Sequence, residues 1–124
     1  MESTQQIFFG SQTSGNSASF ATGRSDYQFI DIVLQTTAAD AVCSFTIQSS
    51  AEPATSWAVD TAALPQSVLP AGFSFANGVL SVASPAIGTY RVRLVLQTGP
   101  YLRVAYSYTS GAVASARVVV FAHD

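Results

Sequence analysis

The C-terminal third of the chain alternates apolar with polar or charged residues at a period of two, which predicts β-strand. Three segments carry the alternation: Thr89–Gln97, Tyr101–Thr109 and Val113–Ala122. A one-residue slip between paired strands moves every side chain to the other face. A two-residue turn at Ser110-Gly111 mixes the faces, whereas three-residue turns keep them apart. The three segments are therefore predicted to form a three-strand meander.

The predicted meander has one apolar face and one face with most of the chain's positive charge. Its register sets Leu94 opposite Val104, and Val104 opposite Val118. Four of the five basic residues of the chain then share the polar face: Arg91, Arg93, Arg103 and Arg117. Arginine is enriched at protein interfaces, where lysine and glutamate are depleted. We interpret this face as a candidate contact surface, with a solvated face or pairing to Asp26 and Asp31 as the alternative.

Three further segments read as strands. Tyr27–Thr36 and Ala41–Ser49 alternate at a period of two. Phe73–Val82 contains Asn77-Gly78, the preferred pair for a two-residue type I′ turn. That turn sets Phe75 opposite Leu80 on an apolar face. Between these segments, Leu64–Ala71 contains two prolines, which argues against a central strand.

Short strands with turns between them, and no helical period, predict an all-β protein. The expected architecture is an antiparallel β-sandwich of seven or eight strands, jelly-roll or immunoglobulin-like. Residues 1–25 are polar and are predicted to form an N-terminal arm, with a short strand at Ala18–Ala21 as an option. Residues 26–124 are predicted to form a single sandwich domain. The arm contains one apolar group, Ile7, Phe8 and Phe9, which would dock on its own domain or on a neighbour. A disordered tail is the equal alternative.

Composition narrows the function classes. Only 10% of the 124 residues are charged, there is no lysine, and the net charge is -2. Such a weakly charged exterior suits a surface that neighbours cover. Nucleic-acid-binding domains are usually basic, so no direct nucleic-acid contact is expected. No segment has the roughly 18 apolar residues of a membrane span, and the N-terminus lacks the features of a signal peptide.

Residues for catalysis or metal binding do not cluster. The one histidine, His123, is the penultimate residue, where we expect a solvated tail and not a catalytic group. The one cysteine, Cys43, alternates with Phe45 and Ile47, so we expect a buried apolar role. The seven acidic residues are scattered. The sequence therefore predicts a protein that is not an enzyme, with no catalytic residues, no cofactor and no metal site.

Two stretches carry a resemblance to a known group of proteins. In Tyr27–Trp57, two strands are followed by a serine-rich loop and a tryptophan; in Tyr101–Asp124, a strand and a Ser-Gly turn precede a valine-rich closing strand. The second stretch includes Tyr101-Leu102-Arg103-Val104, Thr109-Ser110-Gly111 and Val118–His123. Together they resemble small bacteriophage virion proteins of the capsid decoration or cement type, over about half of the chain.

The resemblance implies a virion protein on the outer surface of the capsid shell that stabilises contacts between capsomers. Its partners would be the major capsid protein and further copies of itself in a homo-oligomer, a trimer being one option. Two other functions remain open. One is a carbohydrate- or receptor-binding sandwich of a tail fibre or adhesin, and the other is a head–tail connector or tail component.

Overall fold

The computed structural model describes residues 2–9, 15–16, 20–21, 28–50, 57–59, 64–65, 68–96 and 101–123. Every regular element in these ranges is a β-strand, and all strand pairs are antiparallel. The strands are β1 (Glu2–Phe9), β2 (Gly15–Asn16), β3 (Phe20–Ala21), β4 (Gln28–Thr36), β5 (Val42–Ser50), β6 (Ala58–Val59), β7 (Leu64–Pro65), β8 (Phe73–Ala76), β9 (Val79–Ala83), β10 (Gly88–Leu96), β11 (Tyr101–Ser110) and β12 (Val113–His123).

The strands form two sheets that pack into a sandwich, as the sequence predicts. Sheet I has the order β1-β12-β4-β10-β7. Sheet II has the order β2-β11-β5-β9-β8, with β3 paired to β11 and β6 paired to β5. Of the twelve strands in the described ranges, eight have four or more residues. The all-β antiparallel sandwich is therefore confirmed.

A single hydrophobic core lies between the sheets. Alternate residues of β4 in sheet I and of β5 in sheet II belong to this core, because successive side chains of a strand point to opposite faces. The largest fully buried side chains are Tyr106, Phe45, Ile30, Ile32, Leu34, Ile47, Leu80, Leu94 and Val82. The rings of Phe45 and Tyr106 pack side by side in sheet II, with centroids 5.0 Å apart. Phe73 and Tyr90 make a similar contact between the sheets at 4.9 Å.

The β8–β9 hairpin follows its predicted register. Phe73 pairs with Val82, and Phe75 pairs with Leu80. Asn77 and Gly78 have φ values of 52° and 81°, as a type I′ turn requires. The prediction is confirmed because turn chemistry and apolar alternation both act within ten residues of the chain.

The predicted meander is wrong, although the alternation within each of its strands is right. The strands β10 and β12 belong to sheet I, and β11 between them belongs to sheet II. Val104 lies opposite Ile47 of β5, instead of Leu94 or Val118. Alternation specifies which side of a strand is buried, but it does not specify the neighbouring strand. Each of the three strands has an apolar face, and such a strand can contribute to the core from either sheet.

The strand β4 separates β10 from β12 and is the centre of sheet I. Val92 of β10 and Val118 of β12 both lie opposite Ile32 of β4, one from each side. At the edge of this sheet, β7 is two residues long and contains Pro65. That edge position agrees with the prediction that prolines exclude a central strand in this segment.

The N-terminal residues contribute strands to both sheets. The backbone of β1 pairs along its whole length with β12, from Glu2 opposite His123 to Phe9 opposite Ala116. The short strand predicted at Ala18–Ala21 corresponds to β3, and residues 18 and 19 lie outside the described ranges. The division between an arm and a domain at residue 25 stays a prediction, but residues 2–9 form a paired strand of the sandwich.

A corner next to Gly111 joins two of the connections that cross between the sheets at this end. The link from β4 to β5 and the turn from β11 to β12 are joined by a backbone hydrogen bond, from Thr37 N to Ala112 O at 3.1 Å. The Asp40 side chain accepts a second bond from Ala112 N at 3.0 Å. Gly111 has a φ of 92°, and a Cβ atom there would overlap the Asp40 carbonyl oxygen. Only glycine fits this position.

We expect Gly111→Ala to destabilise the fold more than Gly72→Ala does. Both glycines have positive φ, which costs an alanine about 1–2 kcal/mol. At Gly72 the nearest backbone atoms lie 3.0 Å from the position that a Cβ atom would take, which small shifts relieve, whereas at Gly111 the added atom would overlap the backbone. Urea denaturation should show that Gly111→Ala lowers the free energy of unfolding by more than about 3 kcal/mol. Equal losses at the two positions would contradict the proposed close approach.

Cys43 is a core residue, as predicted. Its side chain is buried next to Tyr106, and it is a free cysteine. Burial raises the pKa of the thiol from 9.0 to about 11, and a hydrogen bond with Tyr106 opposes the rise in part. Burial likewise raises the pKa of the Tyr106 hydroxyl. A thiol with this pKa stays protonated near neutral pH and is a poor nucleophile.

We expect native Cys43 to react with an aromatic disulfide reagent at pH 8 at least about a hundredfold more slowly than the unfolded chain, because two pKa units reduce the thiolate fraction roughly a hundredfold. Absorbance of the released thiolate measures the rate. The comparison is simple since the chain has one cysteine. Matching rates in buffer and in denaturant would show that the thiol is accessible in the fold.

Candidate interaction surfaces

The outer face of sheet I carries a buried carboxylate between two arginines. Asp31 lies on the outward side of β4 and is 0% exposed. Arg93 of β10 lies directly opposite it in the register. The Arg93 guanidinium donates two hydrogen bonds, from Nε to Oδ1 at 2.7 Å and from one terminal nitrogen to Oδ2 at 3.0 Å. This two-point contact fixes the plane of the guanidinium.

A second arginine completes what we call the Asp31 cluster: Asp31, Arg91 and Arg93. Arg91 donates a hydrogen bond from a terminal nitrogen to Asp31 Oδ2 at 3.1 Å. The Arg91 and Arg93 side chains remain 60% and 43% exposed, although the carboxylate between them is fully buried. The carboxylate therefore orients two guanidinium groups that still face solvent. This outcome matches the alternative reading in which the arginines pair with Asp31; Asp26 lies outside the described residues.

Arg117 lies on the other side of β4, on the same outer face. Arg117 of β12 and Arg91 of β10 both lie opposite Val33, one from each side. Val33 is only 3% exposed even though it is on the outward side of its strand. The Nε atom of Arg117 is buried and has no hydrogen-bond partner among the described residues. We call Arg91, Arg93 and Arg117 the arginine face of sheet I.

The arginine face has an excess of positive charge. Arg91 and Arg93 contact the one carboxylate of Asp31, and Arg117 adds a third positive charge opposite Val33, whereas the chain as a whole has a net charge of -2. A local positive field on a slightly acidic protein favours contact with a partner that presents carboxylates.

Arg103 does not belong to this face, so the prediction that four arginines share one surface is wrong. Arg103 lies on β11 in sheet II, opposite Gln48 of β5, and therefore on the other outer face of the sandwich. The guanidinium carbon of Arg103 lies 4.5 Å from the centre of the Trp57 ring, and its Nε donates a hydrogen bond to the Gln48 side chain. Arg103 is separated from the other three arginines because β11 belongs to sheet II, whereas β10 and β12 belong to sheet I.

The other predicted contact residues lie on β1. Ile7, Phe8 and Phe9 are opposite Val118, Arg117 and Ala116 of β12. The structure describes their backbone, and their side chains lie outside the described part, so their contact role stays a prediction. His123 is the last residue of β12, and its backbone pairs with that of Glu2. The predicted tail is therefore a paired strand end, and a solvated side chain stays a prediction. The His123 side chain also lies outside the described part.

Metal-site clusters and membrane-spanning helices are absent from the part of the chain that the structure describes. Among these residues, no three His, Cys, Asp or Glu side chains come together as a metal site would require. The described residues form no helix that is long and apolar enough to cross a membrane. No protein-family model and no curated protein matches the chain.

Sequence reasoning named Asp31 only as an alternative partner and did not identify it as the centre of a cluster. The signal in the sequence was an acid in the interior of a strand, between Ile30 and Ile32. Aspartate is almost never fully buried unless it is paired. That rule predicts a cation on a neighbouring strand, but selecting Arg93 requires the pairing of β4 with β10, which the sequence does not reveal.

We expect Arg93→Met to destabilise the fold more than Arg91→Met. Both substitutions keep an apolar stem, but the first removes a two-point contact to a buried carboxylate and the second a single bond. Hydrogen bonds to charged groups contribute about 1.5–3 kcal/mol. We expect the free energy of unfolding, measured by urea denaturation, to fall by about 2–3 kcal/mol for Arg93→Met and by about 1 kcal/mol or less for Arg91→Met. A larger loss for Arg91→Met would contradict the assigned roles.

Proposed function

We propose that this chain is a non-enzymatic bacteriophage virion protein that decorates the outer capsid shell and stabilises capsomer contacts. The observation that carries the proposal is the arginine face of sheet I, in which the buried Asp31 orients Arg91 and Arg93. Support also comes from the lysine-free, weakly charged composition and from the resemblance of two stretches of the chain to decoration proteins. The partners are the major capsid protein and further copies of this chain.

The arginine face has the properties of a contact surface prepared before binding. Arg93 is held by two bonds to Asp31 and is still 43% exposed. Ordering a long side chain on binding costs about 0.5–1.5 kcal/mol, and part of that cost is already met in the free protein. Arginine is also among the residues that most often contribute large binding energies. The partner surface that fits is one with exposed carboxylates.

Weak contacts suffice when many copies bind a repeating surface. An exposed guanidinium contributes little in isolation because solvent screens it. On a shell, each copy contacts the same capsid surface. An oligomer that places two or more arginine faces on that surface binds more tightly, because the second contact forms within a complex that already exists. A small sandwich with an oriented cationic face therefore suits attachment to a shell better than capture of one soluble ligand.

The glycan-binding alternative has less support from the described residues. A sugar platform requires an accessible aromatic ring with polar groups around it. The Trp57 ring is in contact with the Arg103 guanidinium at 4.5 Å, which occupies one of its faces. A glycan array is the discriminating measurement, since a reproducible hit would favour the adhesin or tail-fibre function over ours.

We expect Arg91→Gln combined with Arg117→Gln to reduce binding to capsid shells by tenfold or more. The loss of two interface arginines at about 1 kcal/mol each corresponds to a change of this size. The assay is co-sedimentation with shells assembled from the major capsid protein of the same genome. Arg93 is retained because it holds the buried carboxylate. Added salt should weaken binding of the wild-type chain, because the contacts are ionic.

Arg103→Gln is the matched control, since it removes the same charge from the other outer face of the sandwich. It should leave shell binding within about twofold of wild type, a difference below about 0.5 kcal/mol. If the wild-type chain does not sediment with shells, the proposed function is wrong. If Arg103→Gln lowers binding as much as the double variant does, the arginine face is not the contact surface. Circular dichroism verifies that each variant is folded.

A further inference from the structure

The first strand has a long edge that no other described strand pairs with. The strand β1 is the last strand of sheet I, and its backbone pairs with β12 on one side. Within the described ranges, no strand pairs with its other side. Along an eight-residue strand, the N–H and C=O groups of every second residue point to that free side. Unpaired edges of this kind are templates for pairing with another chain.

The other sheet edges in the described ranges are short, partly covered or charged. At the far side of sheet I, the two-residue strand β7 pairs with β10 at Leu94 and Val95, and Pro65 lacks an N–H group. Residues 88–93 of β10 have no paired strand on that side within the described ranges, but this stretch contains Arg91 and Arg93, and charged side chains protect an edge. In sheet II, the edges are formed by the two-residue strands β2 and β3 on one side and by the four-residue strand β8 on the other. Short strands, prolines and charges are the usual ways in which proteins protect an edge. The sequence of β1 contains no lysine, arginine or proline, and its one charged residue, Glu2, is at its start.

We propose that two copies of this chain pair edge to edge through β1, antiparallel and about a two-fold axis, so that their sheets I form one continuous sheet. The edge of β1 is complementary to the same edge of a second copy. Antiparallel pairing of identical strands is self-complementary, which is the requirement for a closed two-fold interface. The pairing also keeps the two Glu2 residues at opposite ends of the interface, so like charges do not meet.

The register of this pairing is restricted by geometry. In an antiparallel pair, two residues directly opposite each other either both point their backbone N–H and C=O groups at the other strand or both point them away. Only every second residue of β1 points these groups at the free side. Two copies of β1 therefore pair odd residues with odd and even with even, so that one residue lies opposite its own copy. For a central overlap, that residue is Gln5 or Gln6. The dimer axis passes beside this residue and is perpendicular to the sheet.

A two-fold axis perpendicular to a sheet keeps the same face of both copies on the same side. The outer faces of the two sheets I therefore lie next to each other, and both Asp31 clusters face in one direction. Each dimer presents the arginine face twice to a single flat partner. This consequence supplies the linkage that the proposed function requires, but the pairing itself does not depend on that function.

The test uses a charge exchange at the axis. Gln5→Lys and Gln6→Lys are made separately, because one of these residues lies opposite its own copy and two lysines there repel each other. The matched control is Gln35→Lys, which adds the same charge at an exposed position of β4 on the outer face of sheet I. Native mass spectrometry and light scattering after size exclusion measure the oligomeric state without shells.

We expect a wild-type dimer, an unchanged dimer for Gln35→Lys, and a dissociation constant raised at least tenfold for the lysine variant at the axis. The corresponding glutamate variant should show the same weakening, and an equal mixture of the lysine and glutamate variants should give a heterodimer. A wild-type monomer at all concentrations overturns the proposal, as does a dimer that tolerates both lysines, or a trimer or larger ring. Loss of shell binding with an intact dimer would count against the proposed function and not against this pairing.

Discussion

The middle of the central strand of sheet I, from Ile30 to Leu34, is buried on both of its faces, and the rest of the structure depends on this constraint. The inner side of β4 contributes Ile30, Ile32 and Leu34 to the core. Its outer side carries Asp31 and Val33, which are also buried. A strand covered in this way needs a paired neighbour at each edge and a partner for its buried charge. The strands β10 and β12 provide the neighbours, and β10 provides the guanidinium groups.

The buried carboxylate links stability to the surface chemistry of the protein. Removing a carboxylate from water is costly, and the cost is offset only when hydrogen bonds and opposite charges replace the water. Here the compensating groups are Arg91 and Arg93, whose side chains extend to the surface. The same contacts that satisfy Asp31 therefore hold two cations in place on an outer face. A partner with carboxylates would meet groups that are already oriented.

The two outer faces of the sandwich differ in character. Sheet I has three arginines around β4, whereas the described outer side of sheet II has Arg103 against Trp57, beside small residues such as Ser44, Thr46 and Ala105. The sheets also differ at their edges, since sheet I ends in the long strand β1. The cationic face and the open edge of β1 lie on the same sheet, and they are the basis of the proposed attachment and of the proposed pairing.

The sequence by itself determined the direction of side chains and the local turns. Period-two alternation correctly placed Val92, Val104 and Val118 in the core, and Asn77-Gly78 specified the β8–β9 hairpin, because both signals act between residues close in the chain. Tertiary structure alone decided which strands are neighbours. The separation of Arg103 from Arg91, the pairing of Asp31 with Arg93 and the edge position of β1 all follow from strands distant in sequence competing for the same core. An alternating pattern shows that a strand has a dry side, but several partners can cover that side equally well.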